Sequence, residues 1–238
     1  MITRPVTVVI PAHNAAGTIA ATLRSLGNPA RIIVVNDRSQ DSTVEQITAC
    51  GIDVDVLHST HPGPGAARNH GAVHVRTPYI AFCDADDQWV PGRLDADLDI
   101  LSRRPDIEIL LGSTRYEATD AALLAGHVFP DDTQSQVIAH FGAATMRTAA
   151  FHRVGPIRED KANFEDLEWF LRARDLGVGL VAHRRIVQRR LMHPSSTSHV
   201  HPGRPTDMLA VLAESVRRRA DSGVEVLSLQ DSIDMNLP

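Results

Sequence analysis

The first hundred residues of the chain alternate between short apolar runs and longer stretches of mixed polarity. The apolar runs predict β-strands at residues 6–10, 31–35, 54–58 and 79–83. The stretches that follow them predict helices that end near Leu26, open at Ser42 with the spacing of a capping box, and span 65–75 and 92–103. Short apolar strands joined by helices are typical of a parallel sheet that is buried on both faces.

Three polar segments each follow one of these predicted strands, at residues 11–14, 36–39 and 84–87. In a parallel sheet the segments after the strands lie at the same edge, where open α/β sheets bind their ligands. We therefore expect these three segments to share one crevice.

Beyond residue 105 the alternation weakens. The remaining strand candidates are residues 107–111, 143–146 and 178–182. Helices are predicted at 165–176, where Gly177 closes the helix, and at 208–219, where the helix has a basic end. Residues 193–205 are polar and predict a loop.

Composition and charge exclude several classes of protein. The 238 residues carry a formal net charge of −5, so no basic face indicates nucleic-acid binding. Two cysteines make no disulfide framework, and no apolar run is long enough to span a bilayer. With no signal peptide recognisable at the start, these features predict a cytoplasmic protein without a transmembrane segment. Peripheral contact with a membrane stays open.

The segment 84–87 carries three aspartates, Asp84, Asp86 and Asp87. Like charges this close repel one another, and burying them without a partner costs free energy. An Asp-x-Asp turn can hold a divalent cation together with substrate phosphates, whereas the alternative is a solvated turn before a helix. No glycine-rich phosphate loop follows the first predicted strand, so a bound phosphate would need such a cation.

Five segments resemble, in order, the motifs of family-2 inverting glycosyltransferases of the GT-A fold. They are VVIPAHN at 8–14, VVNDRSQDST at 34–43, GAARNHG at 65–71, YIAFCDADD at 79–87 and FEDLEWFLR at 164–172. The resemblance covers roughly residues 5–200 and implies an α/β fold with a Rossmann-like, mostly parallel sheet flanked by helices. It also implies a GT-A domain over 1–203, with a nucleotide-binding half at 1–104, an acceptor-side half at 105–203, and a C-terminal helix and tail at 204–238.

The resemblance implies a nucleoside-diphosphate sugar as donor, with a UDP-sugar expected first, and Mn²⁺ or Mg²⁺ as cofactor. It assigns the metal to Asp86 and His199. Its implied nucleotide-sugar contacts are Pro11, Ala12, Asn14, Asp37, Arg68, Asp84, Ala85, Glu165, His193 and Ser198. The last donor contacts and the metal ligand His199 come from residues 190–199, which resemble a late segment of the family with histidine and serine near the diphosphate. The alternative, a zinc site at His193, His199 and His201, has no support, because neither a cysteine nor a close histidine spacing accompanies them.

Asp37 corresponds to the family's acid that contacts the nucleotide base, and an ionised carboxylate can accept the imide N–H of uracil. This chain departs from the family pattern at the neighbouring positions, where Asn36 replaces an acid and Arg38 replaces a glycine. The departure leaves the choice of nucleotide open. The alternative for Asp37 is a residue that only shapes a turn.

Asp166 matches the aspartate that serves as the base in this family. Inverting transfer needs one base to take the proton of the acceptor hydroxyl, and a carboxylate at a helix start is kept ionised by the helix dipole. The alternative is an ordinary acid at a helix start.

Two other functions stay open. A sugar-phosphate nucleotidyltransferase would use a related sheet, but it usually needs a basic, glycine-rich loop after the first strand. A nucleotide-sugar-binding protein of the same fold without turnover is the non-enzyme alternative. The acceptor is unknown (a saccharide, a lipid-linked molecule or a small molecule), and we expect residues 112–160 to select it. The C-terminal helix is expected either to close the acceptor site or to pair two subunits in a homodimer.

Overall fold

The fold is that of a computed structural model, which describes residues 4–118, 120–129, 133–161, 163–194 and 204–222. The strands are β1 Arg4–Ala12, β2 Pro29–Asn36, β3 Asp55–His58, β4 Tyr79–Phe82, β5 Asp87–Trp89, β6 Ile109–Ala118, β7 Ser135–Val137, β8 Ala144–Arg147 and β9 Leu180–Met192. The helices are α1 Ile19–Ser25, α2 Thr43–Ala49, α3 Pro64–Val73, α4 Arg93–Arg103, α5 Thr148–Val154, α6 Glu165–Asp175 and α7 Pro205–Ser222. Short 3-10 helices lie at Ala121–Leu124 and Phe141–Ala143.

The strands form one mixed sheet in the order β3-β2-β1-β4-β8-β6-β9-β5, with β7 paired to β6. Strands β3, β2, β1 and β4 are parallel, as predicted. Strand β8 is antiparallel to both β4 and β6, and β9 is parallel to β6. Strands β6 and β9 therefore run in the same direction as β1, and their carboxyl ends lie at the same edge.

Both faces of the first half of the sheet are buried, which explains its continuous apolar strands. Alternate residues of β1 enter different cores, Val9 on one face and Val8 and Ile10 on the other. Helix α3 lies very close to β1, since a Cβ atom at Gly71 would be 2.4 Å from Cγ1 of Val9. That close approach sets the position of the helix that carries Arg68.

The second half of the sheet differs from the predicted elements. Strands β6 and β9 extend beyond the predicted 107–111 and 178–182, and β5, β7 and α5 were not predicted. Strand β9 is long because its polar side chains are paired by other elements, as Arg185 is by Asp97. The predicted capping box at Ser42 is also wrong. Its side chain makes no capping hydrogen bond, and Asp41 instead accepts a bond from the backbone N–H of Thr43 at 3.1 Å.

The α/β fold class is confirmed, with a sheet that is parallel in its first half and mixed in its second. Across the described ranges, no helix is both long and apolar enough to cross a membrane. The division of the chain at residues 104 and 203 stays a prediction.

Candidate active site

The polar segments after β1 and β2 meet at the carboxyl edge of the sheet, as the topology predicts. The backbone N–H of Asp37 donates to the carbonyl of Ala12 at 2.7 Å. The backbone N–H of Asn14 donates to Oγ of Ser39 at 3.0 Å, and Asn14 Oδ1 accepts from the N–H of Gln40 at 2.8 Å. These bonds fix the two segments against each other. Pro11 and Ala12 are the last two residues of β1 and are buried.

The turn after β2 is shaped by Asn36, whose Oδ1 accepts from the N–H of Ser39 at 3.1 Å. Asp37 is therefore not needed for that turn. Its buried carboxylate accepts from the N–H of Gly63 at 2.7 Å and from Nε of Arg38 at 3.3 Å. Each carboxylate oxygen has a second lone pair, so Asp37 keeps capacity to accept from a ligand.

Arg68 is the centre of a buried charge cluster between α3, β4 and α6. Its Nη2 donates to Asp84 Oδ1 at 2.6 Å, and its Nη1 lies 3.8 Å from Glu165 and 3.7 Å from Asp166. Burial opposes the charge on Arg68, but the three carboxylates outweigh it and raise the arginine pKa. Burial also opposes the charge on Asp84, which by itself would raise the pKa of this carboxyl group. The guanidinium of Arg68 and the nearby His140 outweigh burial and hold the pKa of Asp84 well below its usual range. Asp84 is therefore ionised at neutral pH.

His140 is a member of this cluster that the sequence analysis missed. Its Nε2 lies 3.4 Å from Asp84 Oδ2 and 3.8 Å from Asp166 Oδ2. Its Nδ1 accepts the backbone N–H of Gly142 at 3.2 Å, and its Nε2 faces the two carboxylates. Arg190 Nη1 also approaches Nε2, at 3.1 Å.

The acidic pair of α6 stands at the first turn of that helix. Asp166 Oδ2 accepts the backbone N–H of Phe141 at 2.9 Å, which fixes the orientation of the carboxylate. Oε2 of Glu165 is buried without a hydrogen-bond partner among the described residues. Burial, and then the charge of Asp166, raise the pKa of Glu165. The two adjacent acids therefore have different surroundings.

Asp86 and Asp87 also differ in their surroundings. Asp86 Oδ2 lies 3.1 Å from Nε2 of His193, and the side chains of both residues reach the surface, with exposed fractions of 38% and 30%. Asp87 is buried, and burial raises its pKa well above the usual range, with Asp84 and Asp86 adding to the rise and Arg190 opposing it. Ala85 is buried, and its carbonyl accepts from Oγ1 of Thr22.

Two sets of groups offer ligands that suit Mn²⁺ or Mg²⁺. In one set, ligand atoms of Asp84, Asp87 and His140 all lie within 4.8 Å of one another. In the other, Asp86 is next to His193. Carboxylate oxygens suit both ions, and imidazole nitrogen can complete the shell of a transition metal. The second set reaches solvent, whereas the arginines Arg68 and Arg190 already neutralise the first.

The structure thus brings Arg68, Asp84, Glu165 and Asp166 together and puts His193 beside Asp86. Ser198 and His199 lie outside the described residues. Besides His140, the sequence analysis missed Arg190 as part of the cluster. The available signal was that this arginine opens the segment 190–199, which resembles a late motif of the family. His140 follows no predicted strand, so no local pattern marked it.

Comparisons with known proteins agree with the sequence motifs. The family model described as Glycosyl transferase family 2 matches residues 7–151. A pre-mycofactocin glycosyltransferase of Mycobacterium tuberculosis is 32% identical over 210 residues, which cover 79% of this chain and 44% of that protein. The chain therefore spans less than half the length of this curated relative.

Solved structures share the fold at low sequence identity. TarS 1–349 of S. aureus in complex with UDP-GlcNAc matches with a TM-score of 0.73 and 17% identity, over 92% of this chain and 68% of that one. Glucosyl-3-phosphoglycerate synthase from Mycobacterium tuberculosis, in complex with Mn²⁺, UDP and phosphoglyceric acid, matches with a TM-score of 0.59 and 18% identity, over 90% of this chain and 78% of that one.

Proposed function

The chain belongs to glycosyltransferase family 2, and from that premise we propose that it transfers a sugar from a UDP-sugar to an acceptor hydroxyl with inversion. The observation that carries the proposal is the convergence of Asp84 and Asp166 on the buried Arg68 at the carboxyl edge of the sheet. One cluster thus joins the predicted donor side to the predicted base. The UDP-GlcNAc bound to TarS and the UDP bound to glucosyl-3-phosphoglycerate synthase support uridine as the nucleoside.

In this proposal Asp166 is the general base. The acceptor oxygen forms a bond to the anomeric carbon while the bond from that carbon to the diphosphate breaks. The acceptor proton moves to Asp166, and the diphosphate leaves with the electron pair. The N–H of Phe141 holds one carboxylate oxygen at 2.9 Å, so the other oxygen can face the acceptor.

Asp86 and His193 are the groups we propose for the metal, and His199 stays a predicted ligand. A bound Mn²⁺ or Mg²⁺ would neutralise charge on the diphosphate leaving group. Of the two candidate sets, we favour Asp86 with His193 because both side chains reach solvent, where a diphosphate can approach. Ser198 stays a predicted contact of the diphosphate.

The nucleoside end is assigned to Pro11, Ala12, Asn14, Asp37 and Ala85. Asp37 keeps lone pairs beside its bonds to Gly63 and Arg38, which suits the imide N–H of uracil.

The class of the acceptor stays open between a saccharide, a lipid-linked molecule and a small molecule. A cytoplasmic location, with peripheral membrane contact if the acceptor is a lipid, is part of the same proposal.

We also infer that the chain forms a homodimer through α7. This helix turns Val211, Ser215 and Arg218 inward, where Ser215 Oγ and Arg218 Nε each donate to the buried Asp175 at 3.0 Å. Its outward side exposes Leu209, Leu212 and Val216, which share one face of the helix. We call this face the α7 stripe.

A second copy, packed antiparallel, fits the α7 stripe. With the symmetry axis between Leu212 and Ala213, Leu209 meets the partner's Val216. This interface is isologous, as a two-fold axis requires.

The proposed function is tested by isothermal titration of the protein with UDP, with and without Mn²⁺. We expect Mn²⁺-dependent binding, its loss in Asp86→Ala, and its retention in Asp166→Asn. Asp99→Ala, at an exposed position of α4, is the matched control and should bind as the wild type does. UDP binding that is unaffected by Mn²⁺ or by Asp86→Ala would contradict the metal assignment.

Turnover separates the proposal from its alternatives. Asp166→Asn should lower the rate of sugar transfer or of UDP-sugar hydrolysis by about 10²–10⁴-fold. Full activity of this variant would contradict the base assignment. Pyrophosphate release from a nucleoside triphosphate and a sugar phosphate would favour a nucleotidyltransferase. UDP-sugar binding with neither transfer nor hydrolysis would favour a binding protein.

A further inference from the structure

A second buried ionic cluster lies directly behind the turn that carries His140 and Phe141. Its central residue is Arg93 at the start of α4, of which only 3% is exposed. Arg93 Nη1 donates to the carbonyl of Gly142 at 2.6 Å, and its Nε donates to Asp97 at 3.2 Å. Its guanidinium lies 4.1 Å from the centre of the Trp89 ring, within the range of a cation–π contact.

Asp97 connects this arginine to two further strands. Its Oδ2 also accepts from Oγ1 of Thr145 on β8 at 2.8 Å, and its Oδ1 accepts from Arg185 on β9 at 2.8 Å. The turn at 140–142 is therefore anchored twice, by Arg93 at Gly142 and by Thr145 where β8 continues from it. A buried charged cluster is often no more stable than an apolar one of the same shape. Fold stability alone therefore does not account for it.

The same turn touches the proposed active site on its other side. The N–H of Phe141 donates to Asp166 at 2.9 Å, and His140 faces Asp84 at 3.4 Å. Gly142 has no room for a side chain, since a Cβ atom there would be 2.5 Å from Oε1 of Gln188. The turn therefore depends on bonds to its backbone, and Arg93 provides one of them.

We propose that Arg93 is a positioning residue for catalysis. Its bond to the carbonyl of Gly142 holds the turn so that the N–H of Phe141 points toward the base Asp166. The proposal rests on the proposed function. Arg93 touches neither donor nor acceptor in this scheme. Its loss lets the turn shift, and a shift of about 1 Å at a catalytic group can cost a factor of about 10² in rate.

The test is a double-mutant cycle in kcat between Arg93→Met and Asp166→Asn. Arg93→Met should lower kcat about 10- to 100-fold, with the donor KM and the Kd for UDP within about twofold of wild type. In the Asp166→Asn background, the same substitution should lower kcat by no more than about twofold, because the group it positions is already gone. An equal loss in both backgrounds would overturn the proposal.

Arg147→Met is the matched control. Arg147 also bonds backbone carbonyls, those of Leu101 at 2.6 Å and Ile107 at 3.1 Å, and lies over the ring of Tyr79. Neither of these bonds reaches the turn at 140–142. Loss of the Arg147 side chain should therefore leave kcat of the folded variant within about threefold of wild type. A kcat loss equal to that of Arg93→Met would overturn the proposal.

Arg93→Lys keeps the test decisive if Arg93→Met does not fold. Lysine keeps the charge but loses the planar fork that reaches both Asp97 and Gly142, so we expect a kcat about tenfold below wild type. Circular dichroism verifies that the variant is folded. Full kcat in a folded Arg93→Lys variant would overturn the proposal, as would an Arg93→Lys whose loss is confined to the donor KM.

Discussion

Arg68 is a buried cation that faces carboxylates from two elements. The guanidinium bonds to Asp84 after β4 and lies within 4 Å of Glu165 and Asp166 on α6. A buried charge without its counterion is far more costly than one that is paired. Arg68 therefore supports the fold of the site as well as any contact with the donor.

Arg68→Met should destabilise the protein by about 3–5 kcal/mol, because it leaves three carboxylates beside one another without their main counterion. Urea unfolding followed by circular dichroism measures this change. Arg24→Met, at an exposed position of α1, should stay within about 0.5 kcal/mol of wild type. Equal unfolding midpoints for the two variants would show that the cluster does not depend on this arginine.

The predictable residues of the site are those with a local pattern. Asp84 and Asp86 follow an apolar strand, and Asp166 opens a helix, so motif and spacing mark all three. His140 lies after a long segment without periodicity, and only the pairing of β8 with β4 brings it to Asp84. Its partners are distant in the sequence, so no window of the chain could reveal it.

At the scale of elements, the first half of the sheet was predictable because each strand is apolar on both faces. The length of β9 was not. Beyond Ala182 it carries two pairs of adjacent arginines between buried residues. Arg185, Arg189 and Arg190 have partners on other elements, which are Asp97, Gln88 and His140. Sequence windows record the charge of these side chains but not the partners that make a strand there favourable.

Helix α3 is held close to the sheet by a small residue. Gly71→Ala should destabilise the protein by about 1–3 kcal/mol, because the new Cβ would be 2.4 Å from Val9 and 3.1 Å from Val35. Thermal and urea unfolding measure the change. Gly17→Ala is the control, since its Cβ would meet no atom within 4 Å, and it should leave stability unchanged or slightly raised. A Gly71→Ala as stable as this control would mean that α3 can move away from β1.

Strand β9 also carries a buried histidine that should make stability depend on pH. His183 has no hydrogen-bond partner on either ring nitrogen among the described residues, and burial lowers its pKa from 6.5 to about 4. As the pH falls, the histidine takes up a proton in the unfolded chain before it does so in the folded protein. The unfolding free energy is therefore at its full value above pH 6.5 and decreases as the pH falls toward 4. This group lowers the unfolding free energy by about 3 kcal/mol at most.

His183→Leu should therefore flatten the fall in unfolding free energy between pH 7.5 and 4.5, relative to wild type. Urea titrations at the two pH values give the difference. His152→Gln, at an exposed position of α5, should keep the slope of the wild type. An unchanged slope in His183→Leu would show that the histidine is not the group responsible.

At the scale of the whole molecule, the strand order joins the two halves of the site. Strand β8 lies between β4 and β6, antiparallel to both, so that the carboxyl ends of β4, β6 and β9 reach one edge. Apolar runs indicate which strands exist, but they do not indicate which neighbours pair across more than sixty residues of sequence. The alternation therefore predicted an α/β fold, and the position of β8 required the structure.

The α7 stripe gives the prediction at this scale. A helix on the surface of a protein normally exposes polar side chains, whereas α7 buries Val211 and Ser215 and exposes the three apolar side chains of the stripe. We expect sedimentation velocity to show a dimer whose population rises with protein concentration. Leu209→Glu should abolish it, because the substitution sets a charge against the apolar Val216 of the second copy.

The antiparallel register predicts a charge-pairing result that non-specific association would not give. Leu209→Glu and Val216→Lys should each abolish the dimer, since each sets an unpaired charge against an apolar side chain of the partner. The double variant sets the two new, opposite charges against each other across the two-fold axis and should restore a measurable dimer. A double variant that stays monomeric would contradict this register, and a wild-type monomer at all concentrations would contradict the dimer itself.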